Sequence, residues 1–129
     1  MIKLKRIHHI AIICSDYEVS KAFYTETLGL KVKAEHYREE RKSYKLDLCV
    51  DDQYQIELFS FTEPPKRPSQ PEACGLRHLA FAVDNVEDTA LELRKKNVLP
   101  EPIRIDQHTG KKFTFFADPD ALPIEIYEA

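Results

Sequence analysis

Histidine and glutamate recur at matching places in the two halves of this 129-residue chain. The tetrapeptide HIAI at residues 9–12 resembles HLAF at residues 78–81, an offset of 78 − 9 = 69 positions. The pentapeptide QIELF at residues 55–59 resembles PIEIY at residues 123–127, an offset of 125 − 57 = 68. Two independent matches at nearly one offset indicate an internal repeat. The residues that correspond are His9 with His78 and Glu57 with Glu125.

These four side chains have the chemistry of a metal site. Neutral imidazole and carboxylate are good ligands for first-row divalent metals. Four such ligands leave room for water or substrate on a five- or six-coordinate ion, which suits catalysis better than a closed structural site. A lone histidine on a strand is more often structural, and a lone glutamate is usually solvated. Their pairing by the repeat favours one divalent cation held by His9, Glu57, His78 and Glu125.

The alternation of side chains along a strand predicts which face carries the four residues. His9 and Ala11 share one face of their strand, opposite Ile10 and Ile12. Small alanines beside each histidine leave that face open, as a cavity requires. On the strands of the other three candidates, the opposite face likewise carries bulky apolar residues, namely Leu79, Phe81, Ile56, Leu58, Ile124 and Ile126.

Each half is predicted to fold as a β-α-β-β-β module. Ser15 or Asp16 can cap the helix of the first half, and Gly29 supplies its C-terminal stop. Asp84 or Asn85 likewise caps the second helix. The buried helix faces are predicted to hold Val19, Ala22 and Phe23 in the first half and Val86, Ala90 and Leu93 in the second. The predicted strands cover residues 7–14, 31–36, 44–50 and 54–61, then 76–83, a short strand around Ile103, 112–117 and 122–127.

The two modules, residues 1–61 and 74–129, are expected to form a single domain joined by a proline-rich connector at residues 62–73. The prolines of this connector remove ladder donors and favour an extended conformation, which predicts a semi-rigid linker. Those prolines are Pro64, Pro65, Pro68 and Pro71.

The composition is that of a soluble globular protein, with 43% hydrophobic and 32% charged residues and a net charge of −3. Nothing in it indicates a nucleic-acid or anionic-membrane partner. No stretch approaches the roughly 20 apolar residues of a membrane span. Three widely spaced cysteines fit neither a disulfide framework nor a zinc knuckle, so a reducing cytoplasm is the expected compartment.

At these motifs the sequence resembles the vicinal-oxygen-chelate superfamily, which includes glyoxalase I, methylmalonyl-CoA epimerase, extradiol dioxygenases and fosfomycin resistance proteins. The resemblance covers nearly the whole chain and is strongest to small bacterial glyoxalase-like proteins of the YaeR type. Its general markers are HIAI at 9–12, AFY at 22–24, LGL at 28–30, IEL at 56–58, HLAF at 78–81 and DPD at 118–120. The markers of the YaeR type are PPxRPS at 64–69, GLRHLAF at 75–81 and FTFF at 113–116.

The resemblance implies an α+β fold in which two βαβββ modules form a cupped, mostly antiparallel eight-stranded sheet. The ligand order His, Glu, His, Glu is similar to that of glyoxalase I. Dioxygenases and fosfomycin-modifying enzymes lack a ligand at the position of Glu57, and the epimerase usually has Gln there. The implied cofactor is one divalent metal, nickel or zinc first, with cobalt, manganese or iron also compatible. A homodimer acting on a small molecule is implied as well.

The implied activity is that of a lactoylglutathione lyase-like isomerase or lyase, which stabilises an enediolate of a small α-hydroxycarbonyl or hemithioacetal. By resemblance Glu125 acts as the base and Glu57 assists. Ile13 and Phe61 stand where glyoxalase I commonly has an Arg and an Asn that hold glutathione, which favours a smaller or more hydrophobic substrate. Ala121 replaces the glycine that usually follows Asp-Pro-Asp.

The alternative function is a non-catalytic small-molecule binding module of the bleomycin-resistance type. The intact ligand set argues against it, while the missing glutathione contacts favour it. Among other polar residues, Arg104 is a candidate to face the cavity, whereas Lys111, Lys112 and Thr114 are interpreted as surface. His8 has the opposite parity to His9 and is interpreted as structural. His36 and His108 lie outside the repeat.

Overall fold

The computed structural model describes residues 1–129, which divide into two compact units, Met1–Pro65 and Lys66–Ala129. The boundary falls inside the predicted connector at residues 62–73. Each unit contains one four-stranded mixed sheet and one α-helix. Neither helix has the length and apolar character needed to cross a membrane.

The first unit follows the predicted β-α-β-β-β order. Its sheet runs β1-β4-β3-β2, with β1 parallel to β4 and the other two pairings antiparallel. The elements are β1 (Ile10–Cys14), α1 (Tyr17–Ala22) continued by a π-helical turn (Phe23–Thr27), β2 (Lys31–Arg38), a 3-10 turn (Glu39–Arg41), β3 (Ser43–Val50) and β4 (Gln53–Ser60).

The second unit repeats this topology. Its sheet runs β5-β8-β7-β6, again with the first pairing parallel and the other two antiparallel. The predicted α+β class with two βαβββ modules is confirmed, and the eight mostly antiparallel strands, predicted as one sheet, are divided between two four-stranded sheets. The elements are β5 (Leu79–Val83), α2 (Val86–Lys95), β6 (Arg104–Ile105), β7 (Lys112–Ala117) and β8 (Pro123–Glu128).

The core forms from the apolar faces that alternation predicts. Ile12 and Cys14 of β1 are buried, as are Ile56 and Leu58 of β4, while Ala11 and Ile13 are exposed. In the second unit Ile124 and Ile126 are buried under α2, which contributes Val86, Ala90 and Leu93 as predicted.

The predicted buried face of the first helix is only partly right. Phe23 is buried, but Val19 is 52% exposed and does not belong to the core. Asp16 caps the helix by accepting a hydrogen bond from the Val19 amide at 3.2 Å. The helix therefore starts at Tyr17, and its buried face carries Tyr17, Ser20 and Tyr24 at the α-helical spacing i, i+3 and i+7, with Phe23 beside them.

The two strands predicted to carry the histidines, at residues 7–14 and 76–83, begin three residues later than predicted. β1 starts at Ile10 and β5 at Leu79, so that His9 and His78 immediately precede them. In β5 the register pairs Leu79 with Ile124, so His78 would face Pro123, whose ring nitrogen has no hydrogen to donate.

The connector is fastened to the second unit by hydrogen bonds, which a mere linker would lack. The guanidinium group of Arg67 donates to the carbonyl of Leu76 at 2.5 Å and to that of Arg77 at 3.2 Å. It also donates to the hydroxyl of Ser69 at 2.8 Å, and that hydroxyl donates to the carbonyl of Ala121 at 2.7 Å. Two connector residues thus tie the backbone just before His78 to the turn that leads into β8.

That turn is closed by the carboxylate of Asp118, which accepts the amide hydrogens of Asp120 at 2.8 Å and Leu122 at 2.9 Å. Ala121 has a φ of 65°, in the left-handed region that favours glycine. The Asp118 hydrogen bonds hold the turn in place although alanine replaces the usual glycine.

Replacing Ala121 by glycine should raise the free energy of unfolding by about 1 kcal/mol, because the side chain no longer opposes a left-handed backbone. Urea denaturation measures the change. Gly29→Ala is the matched control, since Gly29 has a φ of 77° with no atom near an added Cβ, and it should shift stability by a similar amount in the opposite direction. Equal stability of Ala121→Gly and wild type would contradict this account of the turn.

Replacing Arg67 by glutamine should lower the free energy of unfolding by about 1–3 kcal/mol, because two backbone carbonyls lose a charged donor. The imidazole NMR signals of His78 should broaden or shift while those of His9 stay in place. The exposed helix residue Arg94 provides the control, and Arg94→Gln should leave both histidines unchanged. Unchanged His78 signals in the Arg67 variant would show that the connector does not position this residue.

Candidate metal centre

The first predicted pair, His9 and Glu57, is brought together by the parallel register of β1 and β4. Ala11 pairs with Glu57, and His9 lies two residues earlier on the same face. His9 Nε2 is 3.4 Å from Glu57 Oε2. The Glu57 side chain is only 9% exposed, so its negative charge requires a nearby partner.

Tyr54 and His8 orient this pair. The Tyr54 hydroxyl donates to Glu57, and its ring stacks against that of His9 at 6.1 Å. Burial and the hydrogen bond to Glu57 raise the pKa of Tyr54, which keeps the hydroxyl a donor. The Nδ1 atoms of His8 and His9 are 2.8 Å apart, so the Nδ1 of His9 is engaged and Nε2 faces the carboxylate. The sequence analysis interpreted His8 as structural, whereas its ring contacts those of His9 and Tyr54 and so belongs to the surroundings of the site.

Lys45 and Asp47 also belong to this site, and sequence reasoning missed them. Asp47 lies directly across from Glu57 on β3, where two carboxylates repel each other. Lys45 Nζ is 2.6 Å from Asp47 and 3.9 Å from Glu57, so it offsets that repulsion. The alternation of residues 43–50 could have revealed them, because buried Leu46 and Leu48 occupy the opposite face.

The second predicted pair repeats the arrangement with different surroundings. Ala80 pairs with Glu125 in the parallel register of β5 and β8, and His78 Nε2 is 3.8 Å from Glu125 Oε1. The ring of Phe115, the cross-strand partner of Glu125, meets His78 edge-on at 5.0 Å. Arg77 Nη1 lies 3.3 Å from His78 Nδ1. Aromatic groups here replace the charged groups around Glu57.

A cavity of about 400 Å³ opens beside Glu125. Arg104 lines it, as the sequence suggested. Thr114 is instead fully buried and donates to the carbonyl of Glu101 at 2.7 Å, and Lys112 pairs with Glu87. The remaining lining residues are Ile105, Asp106, Gln107, His108, Phe113 and Tyr127.

The four predicted ligands thus form two pairs, one in each unit, and the chain contains no group of three or more His, Cys, Asp or Glu side chains placed to hold a metal. Each pair nonetheless fits two neighbouring coordination positions. Ligands about 2.1 Å from an ion are about 3.0 Å apart at a right angle and about 3.4 Å apart at the tetrahedral angle. The nitrogen–oxygen distances of 3.4 and 3.8 Å need little adjustment to reach these values.

Distant similarity extends to two enzymes. The chain is 29% identical to human mitochondrial methylmalonyl-CoA epimerase over 139 residues, covering 98% of this chain and 75% of the enzyme. The structure of the trypanothione-dependent glyoxalase I of Leishmania major superposes with a TM-score of 0.73 at 26% identity, covering 97% of this chain and 87% of that one.

Much closer similarity is found to bacterial proteins of the same length. The chain is 62% identical to YwkD of Bacillus subtilis (strain 168), covering 97% of this chain and 98% of that protein, and 59% identical to YaeR of Escherichia coli (strain K12), covering 99% of both. A glyoxalase family protein from Enterococcus faecalis superposes with a TM-score of 0.89 at 48% identity, covering 96% of this chain and 98% of that one. Residues 6–126 match the model of one family. The chain therefore belongs to the Glyoxalase/Bleomycin resistance protein/Dioxygenase superfamily, among proteins of the YaeR type.

Proposed function

We propose that this protein is a metal-dependent isomerase or lyase of the glyoxalase I type, which acts on a small α-hydroxycarbonyl or hemithioacetal. The observation that carries the proposal is the repeated His–Glu pair, which lies on the more open face of each sheet with nitrogen and oxygen within 4 Å. Family membership and the distant similarity to a glyoxalase I support it.

The proposed metal ligands are His9, Glu57, His78 and Glu125, and they would hold one divalent cation, with nickel or zinc first and cobalt, manganese or iron also compatible. When bound, the cation would polarise the substrate oxygens and stabilise the negative charge that develops as a proton leaves carbon.

Glu125 is the proposed base. Its side chain lines the cavity and is 15% exposed, so a substrate carbon can reach its carboxylate. The proton taken from one carbon would be returned to the adjacent carbon by the same carboxylate. Glu57 is held by Tyr54 and faces Lys45, so we assign it a role in binding and in keeping its charge fixed during the reaction.

The surroundings of the first pair support a substrate other than glutathione adducts. Ile13 is 55% exposed on the face that carries His9, where glyoxalase I commonly has an arginine. Phe61 stacks on Phe59 at 6.2 Å, and both rings contact the guanidinium of Arg38. These apolar surfaces favour a smaller or more hydrophobic molecule and keep the binding-module alternative open to test.

We place the protein in the cytoplasm as a homodimer. No disulfide joins Cys14, Cys49 and Cys74, and Cys74 is exposed, which suits a reducing compartment.

Purified wild-type protein should bind about one divalent ion per chain and catalyse hemithioacetal isomerisation. His78→Ala should lose the metal, and Glu125→Gln should lower kcat by about 10²-fold or more, because the proton acceptor is gone. Elemental analysis and a steady-state assay measure these effects. His36→Ala is the matched control, since His36 is an exposed histidine outside the repeat, and it should keep metal and activity.

Metal binding without turnover on hemithioacetals or small dicarbonyls would favour the binding module. A protein that takes up no metal under any loading condition would refute the metal centre.

Light scattering should give a mass of about twice 15.0 kDa for the homodimer. Co-refolding the double variant His9→Ala/Glu57→Gln with His78→Ala/Glu125→Gln then tests how chains share ligands. Random mixing makes about half of the dimers mixed ones. If each centre takes one pair from each chain, every mixed dimer has one intact centre of two. About a quarter of the wild-type activity then returns. No recovery would assign all four ligands to one chain, and a mass of about 15.0 kDa would refute the dimer.

A further inference from the structure

We propose that the cavity beside Glu125 selects substrates that carry a carboxylate group, and that Arg104 is the residue that binds this group. The inference rests on the proposed function and adds a substrate class to it: small acids in which an α-hydroxycarbonyl unit and a carboxylate belong to one molecule. The cavity, at about 400 Å³, is within the size range of small-molecule sites.

The guanidinium group of Arg104 is held in place by aromatic rings. Its central carbon lies 5.0 Å from the ring centre of Phe113 and 5.6 Å from that of Phe115. Stacking of this kind fixes the guanidinium plane and leaves its N–H edge available for a planar, bidentate acceptor. Carboxylate is the acceptor whose geometry matches that edge.

The ion pair that Arg104 now makes can be exchanged for a substrate. Glu101 lies 3.5 Å away, and both side chains are more than half exposed, Arg104 at 54%. Exposed pairs of this type are worth at most about 1 kcal/mol. A substrate that is also held near Glu125 would therefore readily displace Glu101 with its carboxylate.

Asp106, two residues after Arg104, also lines the cavity and contributes a negative charge to it. Asp106 accepts hydrogen bonds from the His108 amide at 2.8 Å and from the Tyr127 hydroxyl at 2.8 Å. These bonds, with the amide the larger cause, lower the pKa of Asp106 and keep it ionised. An anionic group is repelled there and is directed to Arg104.

The register of the sheet places Arg104 and Glu125 on either side of β7. Phe115 pairs with Glu125, and Phe113 pairs with both Arg104 and Tyr127. Two strand spacings, about 10 Å, separate β6 from β8, and the Arg104 side chain extends along β7 over Phe115, the partner of Glu125. A compact molecule can therefore reach Arg104 with its carboxylate and Glu125 with its reacting carbon.

Two metal-chelating probes that differ by one carboxylate test the inference: acetohydroxamate and the monohydroxamate of succinate. On nickel-loaded wild-type protein, calorimetry should show that the succinate probe binds about tenfold more tightly, the value of one charge-assisted bidentate contact. Arg104→Gln should bind both probes equally, and Arg104→Lys should keep part of the preference. The control Arg94→Gln removes the same charge from the exposed side of α2 and should keep the full preference for the succinate probe.

Equal binding of the two probes to wild type would overturn the inference while leaving the metal centre intact. Loss of the preference in Arg94→Gln would also overturn the inference, since the net charge of the protein, and not Arg104, would then cause the tighter binding of the succinate probe. If neither probe binds, the metal centre of the proposed function fails and this inference fails with it. Thermal unfolding of Arg104→Gln should match wild type, because the replaced side chain is exposed, and a large drop would reassign Arg104 to a structural role.

Discussion

The parallel register between the first and last strand of each module is the constraint on which the rest of the structure depends. It sets Ala11 opposite Glu57 and Ala80 opposite Glu125, so that each histidine meets a glutamate across the strand pair. A slip of one residue would turn each glutamate to the apolar face. The register is fixed by burial of large side chains on that face, each worth about 1.5–3 kcal/mol. Those side chains are Ile56, Leu58, Ile124 and Ile126.

The core therefore determines the geometry of the site, although it contributes none of its chemistry. Ala11 and Ala80 keep the other face open, since they lie beside the histidines and are themselves small and exposed. Larger residues there would fill the space that a substrate needs. The same alternation that builds a stable sheet thus separates a closed apolar side from an open polar one.

The two copies of the repeat have diverged in what surrounds the glutamate. Glu57 is more buried and has Asp47, Lys45 and Tyr54 as neighbours, so its charge sits in a fixed network. Glu125 has aromatic neighbours and an adjoining cavity. A carboxylate that is fixed by several partners moves less readily than one that borders a cavity. This difference is the reason that we propose binding as the role of the first pair and proton transfer as the role of the second.

How far the sequence could predict this molecule depends on the range of the interactions involved. The β-α-β-β-β order of elements and the buried face of α2 follow from local patterns and were predicted correctly, and the first helix is capped by Asp16, one of the two residues predicted for that position. Val19 was predicted to be buried but is exposed, because the buried face of the helix is set by Tyr17, Ser20 and Tyr24 and includes a polar residue that an apolar pattern does not select. The Arg67 hydrogen bonds join residues nine or ten positions apart, and no pattern of residue types encodes them.

Charge balance connects the proposed centre to the proposed substrate. In the proposed centre, the charge of one divalent cation would be balanced by the two glutamate carboxylates. Next to the His9–Glu57 pair, Lys45 forms an ion pair with Asp47, so its positive charge is not available to bind a substrate. An acidic substrate would then bring a further negative charge into the cavity, which is unfavourable unless a cation pairs with it. Arg104 supplies the missing positive charge at the cavity wall, and its weak pairing with Glu101 leaves that charge available.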